Sequence, residues 1–243
     1  MDMLSFDIVS RPGASVKDVI ALFVSHGFKR AKRPDFVISF GGDGTFLVSE
    51  QRFPGVPKLL VKNSDMCVKC DPHSLDVVLE RLKKGRYGFK EFPKLRAALK
   101  GETFDCVNDV VVRNALVTRA IRFSVSVNDP DRKKAAGVGS FIGDGVVISS
   151  VFGSTGYFHS IARHSFEKGI GIAFNNVTRD MPALVVDETC RILVKVERGP
   201  AVAAYDTIKK PWMLQEGDEV TVTGSKNHAL LIDVGTHSIF DAP

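Results

Sequence analysis

A chain of 243 residues, 44% hydrophobic and 25% charged, has the composition of a soluble globular protein and is long enough for one large domain or two smaller ones. No window approaches the ~18 apolar residues of a membrane span and the N-terminus lacks a signal-peptide pattern, so a cytoplasmic protein without membrane contact is expected. The net charge of +5 suits a polyanionic partner, and the scatter of the basic residues beyond Lys29-Arg30-Ala31-Lys32-Arg33 speaks for a nucleotide rather than nucleic acid.

Residues 4–9 alternate in the manner of a strand. Ser15 is placed to cap a helix whose apolar positions Val16, Val19, Ile20, Phe23 and Val24 recur at helical spacing, with Gly27 as its stop. Phe36-Val-Ile-Ser-Phe40 reads as a buried strand running into Gly41-Gly42-Asp43-Gly44-Thr45, and helix-compatible residues follow from Thr45. Lys58–Lys62 forms a further strand, and Leu75, Val78, Leu79 and Leu82 mark a helix ending at Gly85. Strand, helix, strand, helix with short connections is the pattern of a parallel α/β layer, which binds ligands at the carboxyl ends of its strands.

Near residue 90 the period changes. Segments 94–100, 107–113, 119–128, 145–151, 191–198 and 219–223 are short and rich in valine and isoleucine. Ile121, Phe123, Val125 and Val127 alternate with Arg122, Ser124, Ser126 and Asn128, which implies an antiparallel sheet with one solvated face. The expected organisation is an α/β N-terminal domain over residues 1–90 and a β-rich C-terminal domain over 91–243, the extreme C-terminus packing back on the first.

The glycine loop carries the chemistry. Glycine tolerates positive φ and lets a ligand lie against backbone N–H groups, and a helix starting there adds its positive end. Gly41, Gly42, Gly44 and Thr45 are therefore candidate phosphate-binding residues, with Asp43 placed where a phosphate meets a hydroxyl. A tight turn holding an incidental aspartate is the alternative. Neither common nucleotide loop is present: no G-x-x-x-x-G-K-[ST] occurs, and Gly137-Val-Gly139 is followed by Ile142 where a third glycine is required.

Two further stretches stand out. Asn108-Asp109 sets a carboxamide beside a carboxylate at a strand edge, able to read a polar ligand or simply to turn the chain. Residues 143–157 form a strand bounded by glycine turns, then hydroxyl residues and Tyr157 at a helix start. Such a start can bind an anion and the ring can stack on a base, although Ser154 or Thr155 could equally cap the helix. Cys67-Val-Lys-Cys70 has metal-ligand spacing, but Cys106 and Cys190 supply no second pair, so reduced cysteines and no protein-held metal are expected. His159 and His164 are five apart and do not share a helix face. Ser154 lies outside any G-x-S-x-G elbow, which excludes the usual hydrolase arrangement.

Gly41-Gly42-Asp43-Gly44-Thr45-Phe46-Leu47 resembles the signature of the NAD kinases, whose distant relatives are the diacylglycerol and sphingosine kinases and the phosphofructokinases. Asn108-Asp109 is similar to that family's Asn-Glu or Asn-Asp pair, and Gly143–Tyr157 to its D-G-x-x-x-S-T-P-T-G-S-T-A-Y stretch. The resemblance implies transfer of a phosphoryl group from ATP, with Mg²⁺, to the 2′-hydroxyl of the adenosine ribose of NAD. It implies Asp43 as the catalytic base, and Asn108, Asp109, Asp144, Thr155 and Tyr157 as NAD contacts, Asp144 in some relatives from a neighbouring subunit. A homodimer or homotetramer is expected. The departures are Ser150-Val151-Phe152 in place of Thr-Pro-Thr, Asn63 as the remnant of G-x-N-x-G-x-L-G-F, and Asp206-Thr-Ile in place of D-G-Q. Asn63, Phe152 and Asp206 are thus further candidates. A non-catalytic nucleotide sensor and a related kinase for another alcohol are the alternatives.

Overall fold

Four phenylalanines spaced through the first 36 residues become neighbours in space. Phe6 and Phe23 lie with ring centroids 5.2 Å apart, and Phe28 and Phe36 complete a cluster that fills the layer between a sheet and a helix. The computed structural model describes residues 4–62, 74–130 and 136–235. Its two compact units are Met1–Phe92 together with Ala229–Pro243, and Pro93–His228.

Elements are numbered in chain order. The first unit contains β1 (Ser5–Ser10), α1 (Lys17–Ser25), β2 (Lys29–Arg30), β3 (Phe36–Gly41), α2 (Asp43–Arg52), β4 (Lys58–Lys62) and α3 (Leu75–Lys83). The strands lie in the order β2-β1-β3-β4, all parallel, with Ile8 opposite Ile38 and Ile38 opposite Leu59. β3 is central and buried on both faces, which is why it reads as a continuous apolar run rather than an alternation. Both helices stop as expected, since Gly27 and Gly85 take φ of +87° and +64° just past the helix ends. The start of α1 differs from expectation. Its N-cap is Val16, with no side-chain cap, so the helix begins by packing Val19 and Phe23 and not by a bond from Ser15.

The second unit is mostly strand: β5 (Gly88–Leu99, entering it at Pro93), β6 (Glu102–Cys106), β7 (Asp109–Asn114), β8 (Ile121–Asn128), β9 (Ala136–Gly143) and β10 (Gly145–Ser149). A 3₁₀ turn (Phe152–Thr155) and α4 (Tyr157–Ala162) follow. The unit continues with β11 (Ile170–Asn175), β12 (Leu184–Val186), β13 (Arg191–Arg198), β14 (Ala201–Tyr205), β15 (Trp212–Leu214) and β16 (Glu219–Asp233), whose last residues return to the first unit with Leu231 opposite Lys58 in parallel. One antiparallel layer runs β16-β13-β8-β9 and another β12-β11-β10-β7-β14-β15. Val112, Ile148 and Ile172 from one layer and Phe123, Val125 and Val194 from the other share a single core. In β8 the residues Ile121, Phe123, Val125 and Val127 are buried and Arg122 and Asn128 exposed, as the alternation requires. The fold class is therefore the expected one, α/β followed by β-rich.

Among the described residues no helix is long and apolar enough to cross a membrane.

Candidate active site

The glycine loop leaves the carboxyl end of β3 and becomes the first turn of α2. Gly42 is the N-cap, with extended backbone (φ −121°, ψ −165°), and the N–H groups of Thr45 and Phe46 return to its carbonyl at 2.9 and 3.3 Å. None of Gly41, Gly42 and Gly44 takes positive φ, so conformational freedom is not what these glycines supply. Gly41 is required for space: a Cβ there would fall on the Thr45 hydroxyl. Asp43, half-buried, is the first residue of α2, at the positive end of the helix.

The far end of α2 is tied down from inside. Lys58 on β4 is fully buried. Its ammonium meets the Glu50 carboxylate and donates to the Phe53 carbonyl at 2.6 Å, while Gly55 N–H donates to Glu50 at 2.8 Å. A buried ion pair costs more to break than to keep, so the helix that starts at Asp43 is held in one orientation. Nothing in the sequence pattern set Glu50 and Lys58 apart from a solvated helix face and a strand end.

In the second unit the structure gathers Asn108, Asp109 and Asp206. The Asn108 amide donates to the Asp109 carboxylate at 2.7 Å. The two Asp206 oxygens accept the N–H groups of Val107 and Asn108 at 3.0 and 2.7 Å. Asp109 is only 5% exposed, and burial, with the Asp206 carboxylate as a second cause, pushes its pKa up to about 7. The chain after β10 wraps the same spot. Ser150 N–H donates to the Asn108 carbonyl at 3.0 Å, the Ser150 hydroxyl bonds the Val107 carbonyl, and Gly153 N–H donates to that hydroxyl at 3.2 Å. Gly153 passes so close that a Cβ would run into the Asn108 carbonyl. Lys94, 5% exposed on β5, is a cation within reach of Asp105 and Asp206, and burial lowers its pKa.

The remaining candidates lie at α4 and at the turn between β9 and β10. Tyr157 opens α4, and its hydroxyl accepts from Asn175 at 3.0 Å. Asp144, between β9 and β10, accepts from Asn114 at 3.4 Å and Asn176 at 3.1 Å. Asn175-Asn176 escaped the sequence reading, although two asparagines closing an apolar run were its visible signal. Thr155 is exposed. Phe152 is 1% exposed, so its ring packs into the interior. Asn63, Cys67 and Cys70 lie outside the described residues. Among the described residues no three His, Cys, Asp or Glu side chains gather to hold a metal ion.

No family model matches this chain. Solved structures share its fold, among them those of two kinases. An Archaeoglobus fulgidus NAD kinase crystallised with ATP superposes with a TM-score of 0.80 at 18% identity, covering 98% of this chain and 96% of that one. The yeast NADH kinase complexed with NADH reaches 0.83 at 16% identity, covering 98% and 85%. The fold is thus one that these proteins share, with the glycine loop of this chain at the end of a parallel strand. The NAD kinase of Sulfurisphaera tokodaii is 32% identical over 218 residues, 85% of this chain and 84% of that relative. The chain is an enzyme of the NAD kinase family.

Proposed function

We propose that the protein transfers the terminal phosphoryl group of ATP to the 2′-hydroxyl of the adenosine ribose of NAD, giving NADP and ADP. The ribose oxygen forms a bond to the γ-phosphorus, the bond to the bridging oxygen breaks, and Asp43 takes the hydroxyl proton. The observation that carries this reading is the 32% identity to the Sulfurisphaera enzyme across most of both chains. The strand-to-helix loop beginning α2 at Asp43 supports it independently.

Phosphoryl transfer asks a protein mainly for positioning and charge neutralisation. The first turn of α2, with Gly41 and Thr45 in close packing, holds phosphates at its positive end. Asn108 and Asp109 read polar groups of NAD, Thr155 contributes a hydroxyl, and the Tyr157 ring borders adenine. Asp144 contacts the adenosine ribose, and the chain assembles as a homodimer or homotetramer. A magnesium ion carried by the nucleotide would supply charge neutralisation beside the first turn of α2. The test is NADP formation from NAD, ATP and Mg²⁺, repeated with Asp43→Asn. A protein that binds NAD and makes no NADP would reduce the reading to a nucleotide sensor.

A further inference from the structure

Asp206 follows β14 with a backbone φ of +45°, a conformation that a non-glycine residue keeps only where its surroundings hold it. Here they do. Each carboxylate oxygen accepts one backbone N–H, from Val107 at 3.0 Å and from Asn108 at 2.7 Å. In return the Asp206 N–H donates to the Asp109 carbonyl at 3.1 Å. Three successive residues at the entry to β7 are bonded to one residue 98 positions beyond Asn108. Consecutive N–H groups turned toward one point make a concave seat for an anion, and this seat is filled by a side chain of the same chain.

We propose that Asp206 is a positioning residue: its carboxylate, seated on the backbone of residues 107–109, fixes the direction in which Asn108 and Asp109 present their side chains to substrate. The proposal rests on the reading of those two as NAD contacts. Asp206 acts through them and not on the substrate, because both of its oxygens are engaged with backbone.

The same arrangement couples charge to geometry. Asp109, itself buried, faces the Asp206 carboxylate and the Asn108 amide. Asp206 in turn faces Lys94 from β5, and Cys106 and Tyr205 also lie within its electrostatic reach. Burial raises the pKa of Asp206, and the N–H groups of Val107, Asn108 and Asp109 oppose that rise by favouring its charged form; that charge is in turn one cause of the raised pKa of Asp109. Removing the Asp206 charge therefore lets Asp109 ionise at lower pH.

Asp206→Asn keeps the shape but turns one acceptor into a donor facing an N–H group. In the ligand-free protein, the carbon-13 carboxyl titration of Asp109 is expected to move to lower pH, by about one unit. In kinetics, KM for NAD is expected to rise about tenfold or more, with a smaller change in kcat and the same acidic shift in the kcat/KM profile. A folded Asp206→Asn protein with unmoved Asp109 titration and unchanged KM overturns the proposal. A moved titration with unchanged KM upholds the clamp and removes Asn108 and Asp109 from the NAD site, so the two readings fail separately. If the variant does not fold, amide exchange in the wild type decides. Val107 and Asn108 N–H groups must be protected relative to those of the exposed turn residues Val117 and Thr118, and equal exchange overturns the seat.

Discussion

The Thr45 hydroxyl occupies the space that a Cβ on Gly41 would need. This contact, between the last residue of β3 and the first turn of α2, explains a glycine whose backbone angles any residue could adopt. Gly41→Ala must push the start of α2 away from the strand. A loss of kcat/KM of about 10²-fold is expected, as for an ångström-scale misplacement. Thr45→Ala should not rescue it, because the Thr45 Cβ itself stands 2.9 Å from the new methyl group. Kinetics of the single and double variants, with circular dichroism as the folding control, check this; full rescue would contradict it.

The burial of Asp109 has a pH signature. An acid whose pKa is about 7 when folded and 3.8 when unfolded binds more protons in the folded state between those values. Stability from this group is therefore full below about pH 4 and falls as pH rises to about 7, by up to about 4 kcal/mol in all. Asp109→Asn removes this dependence, so its melting temperature should exceed that of the wild type at pH 8 and approach it at pH 5. Thermal melts across that range decide, and parallel curves would contradict the cause given.

Tyr157 carries two separable interactions. Tyr157→Phe loses the Asn175 hydrogen bond, worth about 0.5–1.5 kcal/mol of stability, and should bind NAD almost normally. Tyr157→Ala should weaken NAD binding by about 1–3 kcal/mol if the ring stacks on adenine. Calorimetry of the three proteins distinguishes stacking from packing. Equal affinities would leave the tyrosine as part of the small core it shares with Phe158 and Phe166.

Phe152 replaces a hydroxyl residue of the family pattern, and its near-complete burial makes stability the first consequence of changing it. Phe152→Thr should cost about 3–5 kcal/mol, in the range of other large-to-small core changes. A melt within a degree or two of wild type, together with a changed ratio of rates on NAD and NADH, would instead make the ring a substrate contact.

The sequence made some of this visible for physical reasons. β3 and β8 carried unbroken or alternating apolar runs, and α3 a clean helical stripe, so both the parallel layer and the change to antiparallel sheet could be read. β14 is Ala-Val-Ala-Ala-Tyr and β9 contains three glycines, compositions with little strand preference of their own. Pairing makes them strands, β14 between β7 and β15, and β9 beside β8. The glycine loop was legible as a strand-to-helix turn, but not the reason for its glycines, because freedom of φ and room for Thr45 leave the same letters in the chain. The seat of Asp206 on Asn108 was not legible at all, since it joins distant residues through backbone N–H groups that no side-chain pattern records.

The most direct test is the reaction itself. Wild-type protein incubated with NAD, ATP and Mg²⁺, with NADP read by an NADP-specific dehydrogenase, should yield NADP and ADP in equal amounts. Asp43→Asn, folded and still binding NAD, should lose on the order of 10²–10⁴-fold in turnover. A wild-type protein that binds NAD yet forms no NADP, or an Asp43→Asn protein with near-normal turnover, would contradict the account.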